Sequence, residues 1–347
     1  MMIREFRDED RSAVMHLWNA AVEAGEVVYA SMDDDYFERK FCQGPAEKAG
    51  VFLVAEEKDG RISGAIHGVK PVDLPGTKPG WSYLTFELVR AEDRGRGIGT
   101  ALLEALKVRM KEAGAGVLAI TSLNPVNLDW KIPGTPGHDH NNMPGLDDAC
   151  QGAVFFRKHF EPAYHEIAMY RSFESGFSVP GEIEALQMKL RENGIETGRY
   201  NGIQEYEYET MCKRVGSPYW QHVLDTEIRA HHLGQPNEDP ALWPDGIKPE
   251  GPRPLLIATV NNRIVGFTGP VDRQKSGRGW FTGICTDPEY EHRGIATVLF
   301  SMLMAEFARE GAAFSTLFTG ADNRAQQIYA RAGMRIVRHF TLMTMKL

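Results

Sequence analysis

The feature that most constrains this chain is that one pattern occurs in it twice. "EDRGRGIGTALLEAL" at 92–106 and "EYEHRGIATVLFSML" at 289–303 each place a glycine-punctuated turn at the head of an amphipathic helix. The surroundings repeat as well. "VFLVAEEKDGRISGAIHG" (51–68) reads as two apolar strands joined at Asp59–Gly60, and "PLLIATVNNRIVGFTG" (254–269) as the same hairpin turning at Asn261–Asn262. A β-rich run then feeds each turn, "WSYLTFELV" (81–89) and "GWFTGICT" (279–286). After the turn, Leu102, Leu103, Leu106 and Met110 share one helical face, as Leu299, Met302, Leu303 and Phe307 do in the second copy. "AGVLAITS" (115–122) and "AAFSTLFT" (312–319) follow as buried strands. Gly97 stands 33 residues after Gly64, and Gly294 stands 28 after Gly266, a difference that one loop absorbs. Order and spacing together identify an internal duplication.

Between the copies, "GEIEALQMKLRENG" (181–194) has Ile183, Leu186 and Leu190 on one face and Gly194 as a stop, which predicts a connecting helix. Upstream of the second hairpin, "IQEYEYETMCKRV" (203–215) and "YWQHVLDTEIRAHH" (219–232) read as helices. The Glu–Tyr alternation in the first of these is taken as a solvated helix face.

Composition serves mainly to exclude. The chain has 347 residues, 42% hydrophobic and 25% charged, the balance of a soluble globular protein of about two domains. No apolar run approaches the roughly 18 residues of a membrane span, and the acidic, amphipathic start argues against export. Cys42, Cys150, Cys212 and Cys285 lie far apart without a CxxC pair, so a disulfide framework and a cysteine-based zinc site are not expected and a reducing cytoplasm is. A net charge of −8 weighs against nucleic acid and is compatible with a small amine.

A strand, a glycine turn and a helix start gather free backbone amides at the positive end of a helix, a place for phosphate. One helix-dipole interaction contributes only about 0.3–1 kcal/mol, so several amides and an arginine must act together. Gly95, Gly97 and Gly99 let those amides approach a ligand without a Cβ in the way. The Gly-Lys-Ser/Thr of a Walker loop is absent, and Gly95-x-Gly97-x-Gly99 is not the GxGxxG of dinucleotide binding. What remains is Arg94-x-x-Gly97-x-Gly99 opening a long helix.

On these residues the chain resembles the GNAT family, the Gcn5-related N-acetyltransferases, whose coenzyme A pyrophosphate loop is Gln/Arg-x-x-Gly-x-Gly/Ala. The first copy matches through Arg94, Gly97 and Gly99; the second, Glu291-x-x-Gly294-x-Ala296, matches all but the first position. The resemblance covers nearly the whole chain. It implies an α/β fold of two tandem GNAT-like domains, each a mixed, mainly antiparallel sheet flanked by helices, at 1–174 and 198–347 with a connecting helix over 175–197. It implies acetyl-CoA as co-substrate without a metal, and transfer to a primary amine of a small acceptor. Neither a nucleic-acid nor a membrane partner is expected. The cofactor-binding positions it implies are Glu87, Leu88, Val89, Arg94, Gly95, Arg96, Gly97, Ile98, Gly99 and Thr100 in the first copy. In the second they are Ile284, Cys285, Thr286, His292, Arg293, Gly294, Ile295, Ala296, Thr297 and Asn323.

The family's last motif separates the copies. "DNRAQQIYARAGM" supplies Asn323, Ala325, Tyr329, Gly333 and Met334, whereas "ACQGAVFFRKHF" puts Phe155 in the tyrosine slot and His159 in the glycine slot. Tyr329 fits a general acid that protonates the leaving thiolate, so the second copy is expected to carry the chemistry. The general base stays open among Glu87, Glu227, His231, His232 and water. The rival class is a non-catalytic acyl-CoA-binding or regulatory protein, and a longer acyl chain is a third possibility. An insertion in the first copy, "WKIPGTPGHDHNNMPGLDD" (130–148), is expected to form a cleft wall or a brace, with Trp130, His138 and His140 shaping a pocket.

Overall fold

The computed structural model describes residues 1–74, 76–132, 135, 142–200 and 202–347. In order, the chain forms β1 (Met2–Glu5), α1 (Arg11–Glu23), α2 (Asp34–Phe41), α3 (Gly44–Ala49), β2 (Gly50–Glu56), β3 (Ile62–Val69), β4 (Trp81–Val89), α4 (Ile98–Glu112), β5 (Val117–Ile120), β6 (Leu146–Asp147), α5 (Ala153–His159) and β7 (Glu161–Ser172). It continues with α6 (Gly181–Glu192), β8 (Glu196–Arg199), α7 (Glu209–Val215), α8 (Pro218–Leu233), β9 (Leu256–Val260), β10 (Arg263–Thr268), β11 (Arg278–Gly279), β12 (Ile284–Thr286), α9 (Ile295–Arg309), β13 (Phe314–Gly320), α10 (Gln326–Arg331) and β14 (Arg335–Lys346). Two compact units result, Met1–Ile167 with Arg338–Leu347, and Ala168–Val337. These units follow packing, whereas the limits at 174 and 198 follow the repeat: the last residues of the chain belong to the first unit.

In the first unit β1, β2, β3 and β4 pair antiparallel, β4 runs parallel to β5, and β14 pairs antiparallel with β5. All of β3 is buried because both faces of the sheet are covered. Ala65 faces Trp18 and Phe37 of α1 and α2, while Ile66 faces Leu102 and Leu106 of α4. Leu102, Leu103, Leu106 and Met110 are all fully buried. At ~1.5–3 kcal/mol each, their burial stabilises the unit by roughly 6–12 kcal/mol.

In the second unit β8, β9, β10 and β12 form one antiparallel sheet. Separately, β13 pairs parallel with β11 and neighbours β7, whose residues 168–172 belong to this unit. Asn261 and Asn262 both take left-handed φ, 46° and 63°, the turn geometry that matches strand twist. Both α4 and α9 run 15 residues from a left-handed glycine, Gly97 and Gly294. On α9 the buried face is Leu299, Leu303 and Phe307 with Met304, while Met302 is only partly buried.

Two segments depart from expectation. Residues 203–208 are not helical, and α7 begins at Glu209. The Glu207 N–H donates to Asn262 O at 3.1 Å and its carbonyl accepts from the Ile264 N–H at 2.8 Å, so the Glu–Tyr alternation belongs to a bridge onto β10. The expected strand at 279–286 is broken into β11 and β12, which join different sheets. Side chains occupy the break: a Cβ built on Gly279 would lie 2.5 Å from the Phe307 ring, and one on Gly283 1.9 Å from Trp220.

Candidate active site

In the first unit β4 and β5 pair only from Trp81 to Tyr83 against Val117 to Ala119. Beyond that they part. A bulge at Thr85, between the Leu84–Gly68 and Phe86–His67 pairs, re-aims β4 at this point. The Asn124 amide holds the fork by donating to Leu84 O at 3.3 Å and Thr85 Oγ1 at 3.1 Å. The Arg90 N–H donates to Ser63 O at 2.9 Å toward β3. Alternation along the strand therefore aims the N–H groups of Val89 and Glu87 at the open edge. A cavity of about 470 Å³ lies beside that edge, walled by Tyr29, Phe86, Asn124, Met143 and Phe155 among others.

The turn forms the mouth of this cavity. Gly95 and Gly97 have φ of 77° and 82°, and nothing lies within 4 Å of a Cβ built on either. The first helical bond runs from the Ala101 N–H to Gly97 O at 3.0 Å, which leaves the amides of Ile98, Gly99 and Thr100 ahead of it. Arg94 donates through Nε to Val89 O at 3.0 Å and through its other nitrogens to both oxygens of Glu26 and to Gln151. That ion pair holds the Glu26 carboxyl below its usual range. Of the first-copy candidates, Glu87, Leu88, Val89, Arg94, Gly95, Gly97, Ile98, Gly99 and Thr100 line the cavity. Arg96 does not; it pairs with Asp93 at 2.5 Å and Glu57 at 3.2 Å.

Glu87 points from β4 toward the start of α4: a Cβ built on Gly99 would lie 2.9 Å from its Oε1. Its Oε2 is cut off from solvent and has no hydrogen-bond partner among the described residues. Burial raises this carboxyl well above the usual range. Burial likewise raises the Tyr29 phenol and pushes the Cys150 thiol up to about 11.

The second copy reproduces the backbone of the turn. His292 and Gly294 take the left-handed φ of Gly95 and Gly97, at 60° and 93°. The Val298 N–H bonds Gly294 O at 3.1 Å, leaving Ile295, Ala296 and Thr297 ahead. What differs is the cover: a Cβ on Gly294 would meet Leu186 Cδ2 of α6 at 2.7 Å. On β12, Cys285 is buried between Ile284 and Thr286, and burial lifts its thiol to about 12. Arg293 lies over the Tyr290 ring, and Asn323 Oδ1 accepts from the Ala325 N–H at 2.9 Å just ahead of α10. Tyr329 is 6% exposed, packed against Phe281 and Phe300 at 5.8 and 4.8 Å, and burial pushes its phenol up to about 12. None of these second-copy candidates lines the cavity. Glu227 is fully buried and bonded to Arg253, His231 Nε2 bonds Arg253 O at 2.8 Å, and His232 Nε2 bonds the Tyr200 hydroxyl at 2.8 Å.

Sequence reasoning missed Glu26, Tyr29, Asn124 and Gln151. The only signals were "EVVYA" (26–30) and "NPVN" (124–127), which lie outside the repeated pattern. The insertion contributes a wall through Asn142, Met143, Gly145, Leu146 and Asp147. Trp130, fully buried, anchors it by donating Nε1–H to Asn142 O at 3.0 Å. His138, Asp139 and His140 lie outside the described residues. Among the described residues no cluster of three or more His, Cys, Asp or Glu is placed to hold a metal, and no helix is long and apolar enough to cross a membrane.

A β-rich run leading to a left-handed glycine turn at a helix start, present twice, with a forked sheet edge in the first unit, defines an acetyltransferase class of fold. The model of the acetyltransferase (GNAT) family matches residues 13–129 and again 219–334, and the chain belongs to that family. Its fold resembles the GCN5-related glucosamine N-acetyltransferase region of a fungal multi-domain GH3 beta-N-acetylglucosaminidase, at 16% identity and a TM-score of 0.62 over 99% of this chain and 38% of that one. It also resembles a GCN5-related N-acetyltransferase from Sphaerobacter thermophilus, at 18% identity and a TM-score of 0.58 over 99% and 95%. A tandem GNAT protein from the clavulanic acid biosynthesis pathway is similar at 15% identity and a TM-score of 0.51, over 99% and 98%. No curated protein matches the chain.

Proposed function

We propose that this chain transfers an acetyl group from acetyl-CoA to a primary amine of a small acceptor in the cytoplasm, and that the first copy performs the chemistry. This departs from the placement that Tyr329 suggested. The observation that carries it is the contrast in access: the turn at Gly97 is open and leads into the cavity, while Leu186 lies over the turn at Gly294.

The first-copy residues fit the co-substrate. A left-handed glycine turn with room beside both Cα atoms is a phosphate cradle. The amides of Ile98, Gly99 and Thr100 would hold the pyrophosphate, with Arg94 turning to it from Glu26. Acetyl-CoA supplies the activated acetyl group when bound. The outward amides of Glu87 and Val89 are placed to stabilise negative charge on an acyl oxygen, a contribution of about 2.7–4 kcal/mol per donor in comparable sites. Cavity walls from 26–29 and 142–147 exclude water and orient the amine.

Calorimetry with CoA and thiol release over a panel of small amines test this together. The expected result is one CoA per chain and amine-dependent thiol release. Binding without release for every amine would favour the non-catalytic class instead, and two CoA per chain would remove the assignment to the first copy.

A further inference from the structure

The first copy lacks the tyrosine of the family's last motif, and Phe155 in that slot has no proton to give. Resting on the acetyltransferase function proposed above, we infer that Glu87 is the proton donor of the first copy, its carboxyl lying beside the ring that lacks a hydroxyl. One point in space shows the juxtaposition. A Cβ built on Gly99 would be 2.9 Å from Glu87 Oε1 and 3.5 Å from Phe155 Cζ, the para carbon that bears the oxygen in a tyrosine. The carboxyl therefore sits against the start of α4, next to the edge of the ring.

The surroundings keep it as an acid. The other titratable or charged groups lining the cavity are Glu26, Tyr29, Arg94, Asp147 and Cys150. Arg94 is held by Glu26 and Gln151, and Asp147 by Arg338 at 2.9 and 3.0 Å. Glu87 thus faces no free cation among the described residues. Its Oε2 is out of solvent and without a partner among the described residues, a setting in which a carboxylic acid stays neutral and donates. The copies are reciprocal: Ile284 stands at the repeat position of Glu87 in the copy that has Tyr329.

The step balances without another reactant. Glu87 gives its proton to the departing sulfur as the amine nitrogen bonds to the acetyl carbon and the carbon–sulfur bond breaks, its electron pair staying with sulfur. The proton shed by the amine nitrogen returns to the Glu87 carboxylate, restoring the acid.

Three measurements on the full chain test this. Glu87→Gln should lower kcat about 100-fold or more while CoA binds within about twofold of wild type by calorimetry. Glu87→Gln with Phe155→Tyr should regain at least about tenfold over Glu87→Gln, because a phenol is an equivalent donor. Infrared difference spectra of the CoA-free protein at pH 7 should show a protonated carboxyl band that Glu87→Gln removes. A kcat unchanged in Glu87→Gln, a double variant no faster than the single, or an absent band each overturns the proposal while the acetyltransferase function stands. Wild type that binds no CoA, or releases no thiol with any amine, overturns that function first and this proposal with it.

Discussion

The turns at Gly97 and Gly294 share a backbone conformation and differ in what lies over them. Each is a left-handed glycine heading a 15-residue helix, with three amides ahead of the first helical bond. At Gly97 the space is empty; at Gly294 it holds the isobutyl group of Leu186. The strands before them differ in step. β4 stays whole, pairs with β3 from Tyr83 to Val89 around the bulge at Thr85, and leaves β5 after Tyr83, which opens a wedge with a polar edge. In the second unit the equivalent run breaks into β11 and β12, and Trp220 and Phe307 fill the places a Cβ would take. A loop motif thus preserves backbone geometry, while neighbouring side chains decide whether that geometry can take a ligand.

The largest expected effect is at Gly97. Gly97→Glu puts a side chain and negative charge into the open space and forces φ of 82° on a residue with a Cβ. CoA binding and transfer should fall more than about 100-fold, equivalent to roughly 3 kcal/mol. Gly294→Glu should leave both within about threefold, and displacing Leu186 should lower stability by about 1–3 kcal/mol. Calorimetry and denaturant midpoints on the two variants read this directly. The reverse pattern would break the comparison and return the chemistry to the second copy.

Next is the cover itself. Leu186→Ala removes a partly buried isobutyl group from over Gly294, and an expected loss of about 1–2 kcal/mol reflects that partial burial. Transfer should not change. A rise to two CoA per chain would show that Leu186 alone closes the second turn, a sharper result than the comparison requires.

Tyr329→Phe should be smaller still. The ring packs over Phe300, four residues along α9 from Ala296, and Phe keeps that packing, so stability should change by less than about 1 kcal/mol. Turnover should stay within about twofold across the pH range. A large loss of kcat at unchanged CoA affinity would place Tyr329 back at the reacting sulfur.

The repeat was legible because hairpins, helix faces and glycine turns write themselves into short windows. The spacing of Leu102, Leu103, Leu106 and Met110 alone gave their common face, and all four are fully buried. The α6 face containing Leu186 was legible too, but not its target, since periodicity says that a face packs and not against what. Glu87 was visible as one carboxylate among several. Its environment depends on Gly99, Phe155 and walls from residues 26–29 and 142–152, segments far apart in the chain. The bridge at Glu207 was misread because its partners, Asn262 and Ile264, lie more than fifty residues away.

The smallest expected effect concerns two carboxylates, one in each unit, that differ in their neighbours. In the second unit Glu227 is bonded to Arg253, which also reaches Asp272 at 3.1 Å. In the first, Glu166 on β7 has an Oε2 out of solvent without a partner among the described residues, and burial lifts its carboxyl from 4.5 to about 7. Between those two values the folded chain holds a proton that the unfolded chain has released. Stability is therefore lost as pH rises from about 4.5 to about 7, and the full loss persists above. Gln does not titrate and is neutral like the protonated acid. Glu166→Gln should match wild type in Tm near pH 4 and exceed it by about 2–4 °C at pH 8, corresponding to about 1 kcal/mol once the partial exposure of the carboxyl is discounted. Thermal melts of both proteins across pH 4–8 measure the difference. A constant offset would mean that Glu166 titrates alike in the folded and unfolded chain, and the contrast would narrow to Glu87 alone.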